Sequence, residues 1–266
     1  MNPTSGPILA AGFPLGSSAG LVTAFEWLGQ PYRITRVDML GEMRTDAYKR
    51  LNGRVETPVL ITEAGQVVTG TMAIPRWLEA RHTERRISFE PGTRQADRLH
   101  QYLAFLNTGF TGAFHPMWVA LEAQEATEGE KETLRKVGRP FVALRHAQLE
   151  AMMGDSDYLL GDRPTLADAV FAGVARWADF HQAIEPRDYP RILELRRRIE
   201  ADPAFRFALA IEDGKPAIGS GAMTGLVPLE QVLRDTGGAA AGRGRGVFRA
   251  REGRRAGRGA PGAKRS

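Results

Sequence analysis

The stretch 52–74 constrains the fold of this chain more than any other. Within it, the runs 57–62 and 66–68 are rich in β-branched residues and flank Gly65, which predicts a β-hairpin with Gly65 in the left-handed conformation. Pro58 stands at the start of the first run, where proline is tolerated because no ladder hydrogen bond needs its missing N–H. The peptide bond before Pro58 is also a candidate for a cis bond.

Two threonines follow the hairpin, at the start of a predicted helix. Thr69, Gly70 and Thr71 come just before the apolar residue Ile74. The free N–H groups of a helix start and the positive end of its dipole bind anions. The stretch therefore predicts a place that holds a small peptide-like ligand carrying an anionic group.

The first part of the chain alternates between strand and helix patterns. Apolar runs with period two predict strands, and apolar residues at helical spacing that end before Gly29 predict the first helix. The predicted segments are strand 7–11, the helix before Gly29, strand 32–37, helix 44–51, the two hairpin strands and helix 71–81. The order βαβαββα predicts an α/β domain of thioredoxin-like order over residues 1–81.

The second part of the chain shows only helical patterns. A charged linker is predicted at 82–92, and an all-α helical bundle domain at 93–212. Apolar stripes at helical spacing mark its helices; they are Leu99, Tyr102, Leu103, Leu106 and Phe110, then Leu134, Val137, Phe141 and Leu144, then Val170, Val174 and Trp177, then Ile192, Leu195 and Ile199. Thr165 and Asp168 have the spacing of a capping box at one helix start, which stabilises the fold.

The C-terminal region divides into two parts by composition. Residues 213–236 are predicted to be a short ordered C-terminal extension, and residues 237–266 a disordered basic tail of Gly, Ala and Arg. The tail holds nine basic residues against Glu252, a net charge of +8, which leaves −3 on the rest of a chain whose net charge is +5. An arginine-rich arm of this kind can bind nucleic acid without sequence preference. GC-rich coding drift also produces such a composition, and we favour that interpretation.

Several functional classes are excluded or not expected. Cysteine is absent, which excludes disulfides, thiolate metal sites and a cysteine nucleophile on the protein. No apolar run is long enough for a membrane span. The apolar segment 8–28 has no preceding Lys or Arg, so no secretory leader is expected and the predicted location is cytoplasmic. The histidines lack metal-ligand spacing, so no metal is expected.

Five motifs in order give the chain a resemblance to the cytosolic glutathione S-transferases, in their bacterial, beta-like form, over residues 7–212. They are Phe13-Pro14, Ser17-Ser18, Val55-Glu56-Thr57-Pro58-Val59-Leu60, Thr69-Gly70-Thr71-Met72-Ala73-Ile74, and the segment 161–168 with its capping box. The resemblance implies a thioredoxin-like glutathione-binding domain before the helical domain. It also implies glutathione as co-substrate, a role in detoxification, and a homodimer with Met72, Pro75 and Arg76 on the contact helix.

The chemistry that the resemblance implies needs a glutathione thiolate. A thiol with a pKa near ~8.5 is mostly protonated at neutral pH, so the enzyme must stabilise the thiolate by about 2 pKa units, roughly 2.7 kcal/mol. A hydroxyl at a helix N-terminus can supply much of this. Ser17 and Ser18 are both candidates for that catalytic hydroxyl, and the alternative is that either serine is only an N-cap.

The rest of the glutathione site is also implied by the resemblance. The backbone of Thr57, in the segment that holds Val55 and Pro58, would bind the cysteinyl unit, and Thr71 the glutamyl carboxylate. Arg54 would reach the glycyl carboxylate, or else is simply solvated. Gly70 departs from the family, which has Glu or Gln there to hold the glutamyl amino group, so weaker glutathione binding by about 5- to 150-fold is expected.

The electrophile is expected to bind between the two domains. Phe110, Phe114, His115 and Trp118 form one aromatic face at helical spacing, and Phe13 follows the first predicted strand. The alternative for such a stripe is that it packs in the core. The predicted function is transfer of the glutathione thiolate to a hydrophobic electrophile. The alternative is a non-catalytic binding or interaction module, which Gly70 and the absence of a catalytic Tyr or Cys favour.

Overall fold

The computed structural model describes residues 6–243, and it contains the predicted α/β half followed by the predicted helical half. The first half consists of β1 (Ile8–Phe13), α1 (Ser18–Leu28), β2 (Tyr32–Asp38), a 3₁₀ turn (Glu42–Arg44), α2 (Asp46–Leu51), β3 (Val59–Ile61), β4 (Val67–Thr69) and α3 (Ala73–Arg81). The order βαβαββα and the thioredoxin-like class are confirmed.

The second half is helical throughout its described length. It consists of α4 (Arg94–Ala104), a π-helical turn (Phe105–Thr111), a 3₁₀ turn (Gly112–Phe114), α5 (His115–Glu122), α6 (Glu128–Met152), α7 (Leu166–Ala175), α8 (Trp177–Phe180), a 3₁₀ turn (Pro186–Asp188), α9 (Pro190–Ala201) and α10 (Pro203–Glu212). Two further elements follow, β5 (Met223–Leu226) and α11 (Leu229–Arg243). None of the helices within residues 6–243 has the length and apolar character needed to cross a membrane.

The sheet is mixed, with strand order β4-β3-β1-β2-β5. Ala10 in the central strand β1 lies opposite Thr35 of the parallel strand β2 and opposite Val59 of the antiparallel strand β3. Because parallel strands end at the same edge of a sheet, the chain leaves β1 at Phe13 and β2 at Asp38 side by side. That edge carries the loops that form the site described below.

The hairpin predicted around Gly65 is present. Gly65 has φ +71°, and the Thr57-Pro58 peptide bond is cis. The Phe13-Pro14 bond is also cis, which the sequence did not predict. Helix α3 begins at Ala73 and not at Thr71. A turn precedes it, in which the Ala73 N–H donates to the Gly70 carbonyl at 3.1 Å.

Two glycines bring helices from the two halves into backbone contact. A Cβ on Gly20 of α1 would lie 1.9 Å from the Ala169 carbonyl oxygen of α7. A Cβ on Gly173 of α7 would lie 2.2 Å from the carbonyl oxygen of Ser17. No side chain larger than hydrogen fits at either position. The same hydrophobic core therefore continues through both halves, from Phe25 in α1 to Phe171 in α7.

The predicted capping box fixes the start of α7. The Thr165 hydroxyl accepts from the Ala167 N–H at 3.2 Å, and Asp168 Oδ2 accepts from the Thr165 N–H at 2.8 Å. Asp168 Oδ1 also accepts from the Leu159 N–H at 2.9 Å, which ties the preceding loop to the helix. The box therefore positions the helix that α1 packs against.

The C-terminal extension is more structured than the sequence predicted. Strand β5 pairs in parallel with β2 and adds a fifth strand to the sheet. Leu229 and Val232 of α11 are buried in a second core cluster with Val37 and Tyr48. The predicted boundary between residues 236 and 237 falls inside α11, and residues 244–266 of the predicted tail lie outside the described residues.

The prediction that the apolar stripe of α6 faces the core is wrong. Val137, Phe141 and Leu144 are each about half exposed, at 50%, 51% and 48%. The buried face of α6 carries Gly138, Val142, His146 and Leu149 instead. The reason is close packing on α5, since a Cβ on Gly138 would lie 2.7 Å from the Met117 sulfur.

Substitution of Gly173 tests the backbone contact between α1 and α7. Gly173→Ala should lower the free energy of unfolding by about 1–3 kcal/mol, because the new methyl group must displace the Ser17 carbonyl. Urea unfolding measures this. The control is Gly129→Ala in the exposed first turn of α6, where the nearest atom to a Cβ is Thr127 Oγ1 at 4.0 Å. The control should be neutral or stabilising by up to about 1 kcal/mol, and equal effects at the two glycines would contradict the proposed contact.

Candidate functional site

A cavity of about 710 Å³ lies at the carboxyl edge of β1 and β2, between the two halves. Three loops of the first half and two helices of the second half form its walls. The lining residues are Pro14, Leu15, Gly16, Ser17, Met39, Leu40, Met43, Arg44, Val55, Glu56, Thr57, Trp118, Leu121, Glu122, Gln124, Trp177 and Phe180. Most of this surface is apolar, so the cavity suits a ligand with a sizeable hydrophobic part.

The structure separates the two candidate serines. Ser17 lines the cavity at the N-terminus of α1, and its side chain makes no capping hydrogen bond. Ser18 is 1% exposed, and its hydroxyl oxygen accepts from the Gly12 N–H at 2.9 Å. The Ser18 hydroxyl is therefore committed to the β1 backbone, whereas the Ser17 hydroxyl is free to face a ligand.

The loop before β3 forms a second wall. Val55, Glu56 and Thr57 line the cavity. The Glu56 carbonyl accepts from the Tyr48 hydroxyl at 2.9 Å and from Asn52 Nδ2 at 2.8 Å, so α2 and its C-terminus hold the loop in place. Tyr48 is fully buried, and burial raises the pKa of its phenol above the ordinary range.

The turn after β4 is contacted by the guanidinium of Arg54, which lies in the loop before β3. Arg54 Nη2 lies 3.4 Å from Thr69 Oγ1 and would lie 3.1 Å from a Cβ on Gly70. Arg54 Nε also pairs with Glu56 Oε2 at 3.1 Å. A Cβ at position 70 would therefore make a close contact with the Arg54 guanidinium. Thr71 follows in the turn before α3, and neither Gly70 nor Thr71 lines the cavity itself.

The predicted electrophile wall needs correction, because only Trp118 of its five residues lines the cavity. Phe110 and Phe114 are fully buried in the core against Phe171 and Trp177 respectively. Phe13 lies under the Arg36 guanidinium at 4.1 Å, outside the cavity.

His115, the fifth residue of the predicted wall, is exposed and also lies outside the cavity. The π-helical turn at Phe105–Thr111 explains the error. The wider turn rotates the residues that follow it about the helix axis. The residue spacing of an ordinary α-helix therefore assigns the wrong side chains to the cavity wall.

Two aromatic residues that the sequence analysis missed complete the wall. Trp177 and Phe180 both line the cavity from the segment after α7. The Trp118 ring stands perpendicular to that of Trp177 at 5.1 Å and is stacked with that of Phe180 at 5.7 Å. Their i, i+3 spacing indicates that the two side chains share one face of α8. The spacing does not indicate which half of the fold that face contacts.

Three charged residues line this largely apolar space. Arg44 of the first half and Glu122 of the second half face each other, with Arg44 Nη2 3.6 Å from Glu122 Oε2. Glu56 is the third, and it is paired with Arg54. The Arg44–Glu122 pair links the two walls, so a ligand with a carboxylate would have to compete with Glu122 for the guanidinium.

Two family profiles match this chain in the order of its two halves. The profile described as "Glutathione S-transferase, N-terminal domain" matches residues 18–81. The profile described as "Glutathione S-transferase, C-terminal domain" matches residues 106–203. The chain belongs to the glutathione S-transferase family.

Relatives of this transferase-family chain include both curated proteins and solved structures. A maleylacetoacetate isomerase from Pseudomonas aeruginosa is 28% identical over 187 residues, which are 68% of this chain and 84% of the relative. A glutathione transferase from Methylococcus capsulatus is 27% identical with a TM-score of 0.64, over 78% of this chain and 98% of its own. A sphingomonad glutathione S-transferase complexed with glutathione has 22% identity and a TM-score of 0.66, over 77% and 98%.

Two histidines of the transferase-family fold lie behind the aromatic wall. His146 is buried and its Nδ1 bonds the Val142 carbonyl at 2.8 Å, and burial lowers its pKa to about 4. His181 contacts the Trp118 ring at 4.5 Å, and burial followed by the charge of Arg135 lowers its pKa to about 4. Neither lines the cavity. Within residues 6–243 no group of His, Cys, Asp or Glu side chains is arranged to hold a metal ion.

The buried His146 predicts a pH dependence of stability. Its pKa is about 4 in the fold against 6.5 ordinarily, so its contribution is complete above about pH 6.5 and is lost as the pH falls toward 4. The loss should reach about 3 kcal/mol of unfolding free energy. The measurement is the unfolding free energy as a function of pH between about 6.5 and 4. Its slope should become shallower in His146→Gln and should stay the same in the variant of the exposed His115, His115→Gln. An unchanged slope in His146→Gln would show that another group carries the titration.

Proposed function

We propose that this chain is a glutathione-dependent enzyme that joins or transiently adds the glutathione thiolate to an apolar electrophile. The observation that carries the proposal is the composition of one cavity, which brings Ser17, the loop 55–57 and the aromatic wall together. The sphingomonad transferase described above is complexed with glutathione, which supports the choice of thiol. A peptide thiol placed along the loop would have its sulfur near Ser17 and the electrophile against Trp118 and Trp177.

The Ser17 hydroxyl is the proposed donor to the thiolate. It lies at the N-terminus of an 11-residue helix, α1, whose dipole favours negative charge at that end. A hydrogen bond to a charged acceptor is roughly twice as strong as one between neutral groups. Together these effects lower the pKa of a bound thiol, and the apolar wall of the cavity strengthens them by excluding water.

The cysteinyl and glutamyl units of glutathione have different proposed partners in this site. The Thr57 backbone is the proposed partner of the cysteinyl unit, and Thr71 that of the glutamyl carboxylate. Arg54 lies beside Gly70 and Thr69, next in the chain to Thr71, so we assign it to the glutamyl carboxylate as well. Position 70 is a glycine and supplies no carboxylate for the glutamyl amino group, so glutathione affinity should be modest.

A second candidate reaction is isomerisation of an unsaturated acid. In that reaction the thiolate adds to a carbon–carbon double bond, the resulting single bond rotates, and the same thiolate leaves, so no glutathione is consumed. The likeness to the Pseudomonas isomerase and the presence of Arg44 in the cavity favour it. Measuring glutathione consumed per product formed separates transfer, at one to one, from isomerisation, at zero.

The non-catalytic alternative makes a separate prediction. If the chain is only an interaction module, calorimetry should detect no glutathione binding at millimolar ligand, and no thiol-dependent turnover should appear with aryl halides or with unsaturated acids. Binding without turnover would support a glutathione-binding module. The homodimer, the cytoplasmic location and the role in detoxification stay predictions from the resemblance.

Replacement of each serine tests the assignment of Ser17. Ser17→Ala should raise the pKa of the bound glutathione thiol by about 1–2 units and lower kcat/KM at neutral pH by about 10- to 100-fold, because the hydroxyl donor is lost. The ultraviolet absorbance of the thiolate against pH measures the first effect. Ser18→Ala should keep the thiol pKa and lose about 1 kcal/mol of stability through Gly12. The assignment is wrong if Ser18→Ala alone moves the thiol pKa.

Replacement of Glu122 tests the role of its pair with Arg44. Glu122→Gln should raise kcat/KM for a carboxylate-bearing aryl halide by about 3- to 20-fold relative to the neutral parent compound, because the Arg44 guanidinium is freed. The measured quantity is the ratio of kcat/KM for the carboxylate-bearing compound to kcat/KM for the neutral compound. A change in overall activity affects both values equally and cancels in this ratio. The exposed Glu125→Gln, three positions after α5 ends and outside the cavity, is the control. An unchanged ratio would exclude Arg44 from contact with the electrophile.

A further inference from the structure

The segment Leu15, Gly16 and Ser17 is held largely by the helical half of the molecule. Glu212 Oε1, at the end of α10, accepts from the Leu15 N–H at 2.8 Å. Trp177 Nε1 donates to the Leu15 carbonyl at 2.8 Å. Arg176, directly after α7, donates through Nη2 to the Gly16 carbonyl at 2.9 Å. All three partners lie more than a hundred and fifty positions away in the chain, so this segment depends on how the halves dock.

Arg176 and Glu212 are also bound to each other. Arg176 donates through Nη1 to Glu212 Oε1 at 2.9 Å and through Nη2 to Glu212 Oε2, a bidentate pair. Their side chains are only 16% and 9% exposed. Bidentate geometry fixes the relative orientation of both groups. The pair therefore presents one donor and one acceptor, in fixed positions, to the backbone on either side of the Leu15–Gly16 bond.

The next residue of the segment is restrained as well. The Ser17 carbonyl faces Gly173 in α7, with no room for a Cβ between them. The helical half thus contacts backbone groups of all three residues, Leu15, Gly16 and Ser17. Ser17 lines the cavity from this restrained backbone.

We propose that Arg176 and Glu212 are positioning residues, which hold Ser17 in place by hydrogen-bonding the two residues before it and which cancel each other's charge there. The proposal rests on the proposed function for its chemical consequence, since Ser17 is there the donor to the thiolate. Neither residue lines the cavity. Their effect reaches the reaction only through the Leu15–Ser17 backbone and through their charges.

The charges predict opposite effects for the two residues. Without Arg176, the carboxylate of Glu212 stays nearly buried beside Leu15, and a negative charge near the thiolate raises the thiol pKa. Without the Glu212 charge, the cation of Arg176 remains on Gly16 and favours the thiolate. The other charged groups facing this region are Arg36, whose Nη2 bonds the Glu212 carbonyl, and the cavity residues Arg44, Glu56 and Glu122. They stay unchanged in both variants.

The test compares Arg176→Gln, Glu212→Gln and the double variant. Arg176→Gln should raise the bound-thiol pKa and lower kcat/KM near pH 6.5 by about 5- to 50-fold, with much of the loss recovered at high pH. Glu212→Gln keeps an acceptor for the Leu15 N–H, so its thiol pKa should be unchanged or lower. The double variant should restore most of the rate lost in Arg176→Gln. Equal shifts of the same sign in both single variants would overturn the proposal.

A matched control separates positioning from general stability. Arg196 is 10% exposed and donates to both carboxylate oxygens of Asp179, but it lies in α9 and does not contact residues 15–17. Arg196→Gln should lower the melting temperature to a similar extent and leave the thiol pKa unchanged. If Arg196→Gln shifts the thiol pKa as Arg176→Gln does, the effect is one of stability and the proposal fails.

A second readout does not need glutathione. Amide hydrogen exchange at Leu15, Gly16 and Ser17 in the free protein should be faster in Arg176→Gln than in Arg196→Gln, by about tenfold or more at equal global stability. Equal exchange in the two variants would overturn the positioning role. Failure of the wild-type chain to bind glutathione, with faster exchange in Arg176→Gln, would instead overturn the proposed function and leave the positioning intact.

Discussion

The backbone contact between α1 and α7 is the constraint on which the rest of this structure depends. At Gly20 and Gly173 the two helices approach to a distance that admits no side chain, so the two halves meet at one angle and in one register. One hydrophobic core cluster then continues across the contact. The cavity is a consequence of this docking, since its two walls come from opposite halves and neither half encloses it alone.

The same docking explains why some features were predictable from the sequence and others were not. The hairpin around Gly65, the strand-leading Pro58 and the capping box of Thr165 and Asp168 each depend on residues a few positions apart, so local rules identify them. The aromatic wall depends on a helix that changes its winding at Phe105–Thr111 and on a segment after α7. Periodicity within one helix carries no information about either.

The choice between Ser17 and Ser18 also could not be made from the local sequence alone. Both serines stand at the start of a helix, and either could have been an N-cap. What separates them is Gly12, six residues before Ser18, whose N–H donates to the Ser18 hydroxyl oxygen. The direction of a side chain at a helix start depends on the strand and turn that lead into it. The local sequence therefore narrows the catalytic donor to two residues, and only the packing of β1 against α1 distinguishes their environments.

The C-terminal extension connects the sheet edge to the cavity. Glu26 of α1 is 4% exposed and accepts from the Tyr32 hydroxyl and from the N–H and hydroxyl of Ser220. This fixes the chain just before β5, which then covers the free edge of β2. Helix α11 continues onto α2, next to the loop that holds Met39, Met43 and Arg44. An unpaired edge strand is open to association with other chains, so the extension protects β2 while it supports the cavity wall that β2 leads into.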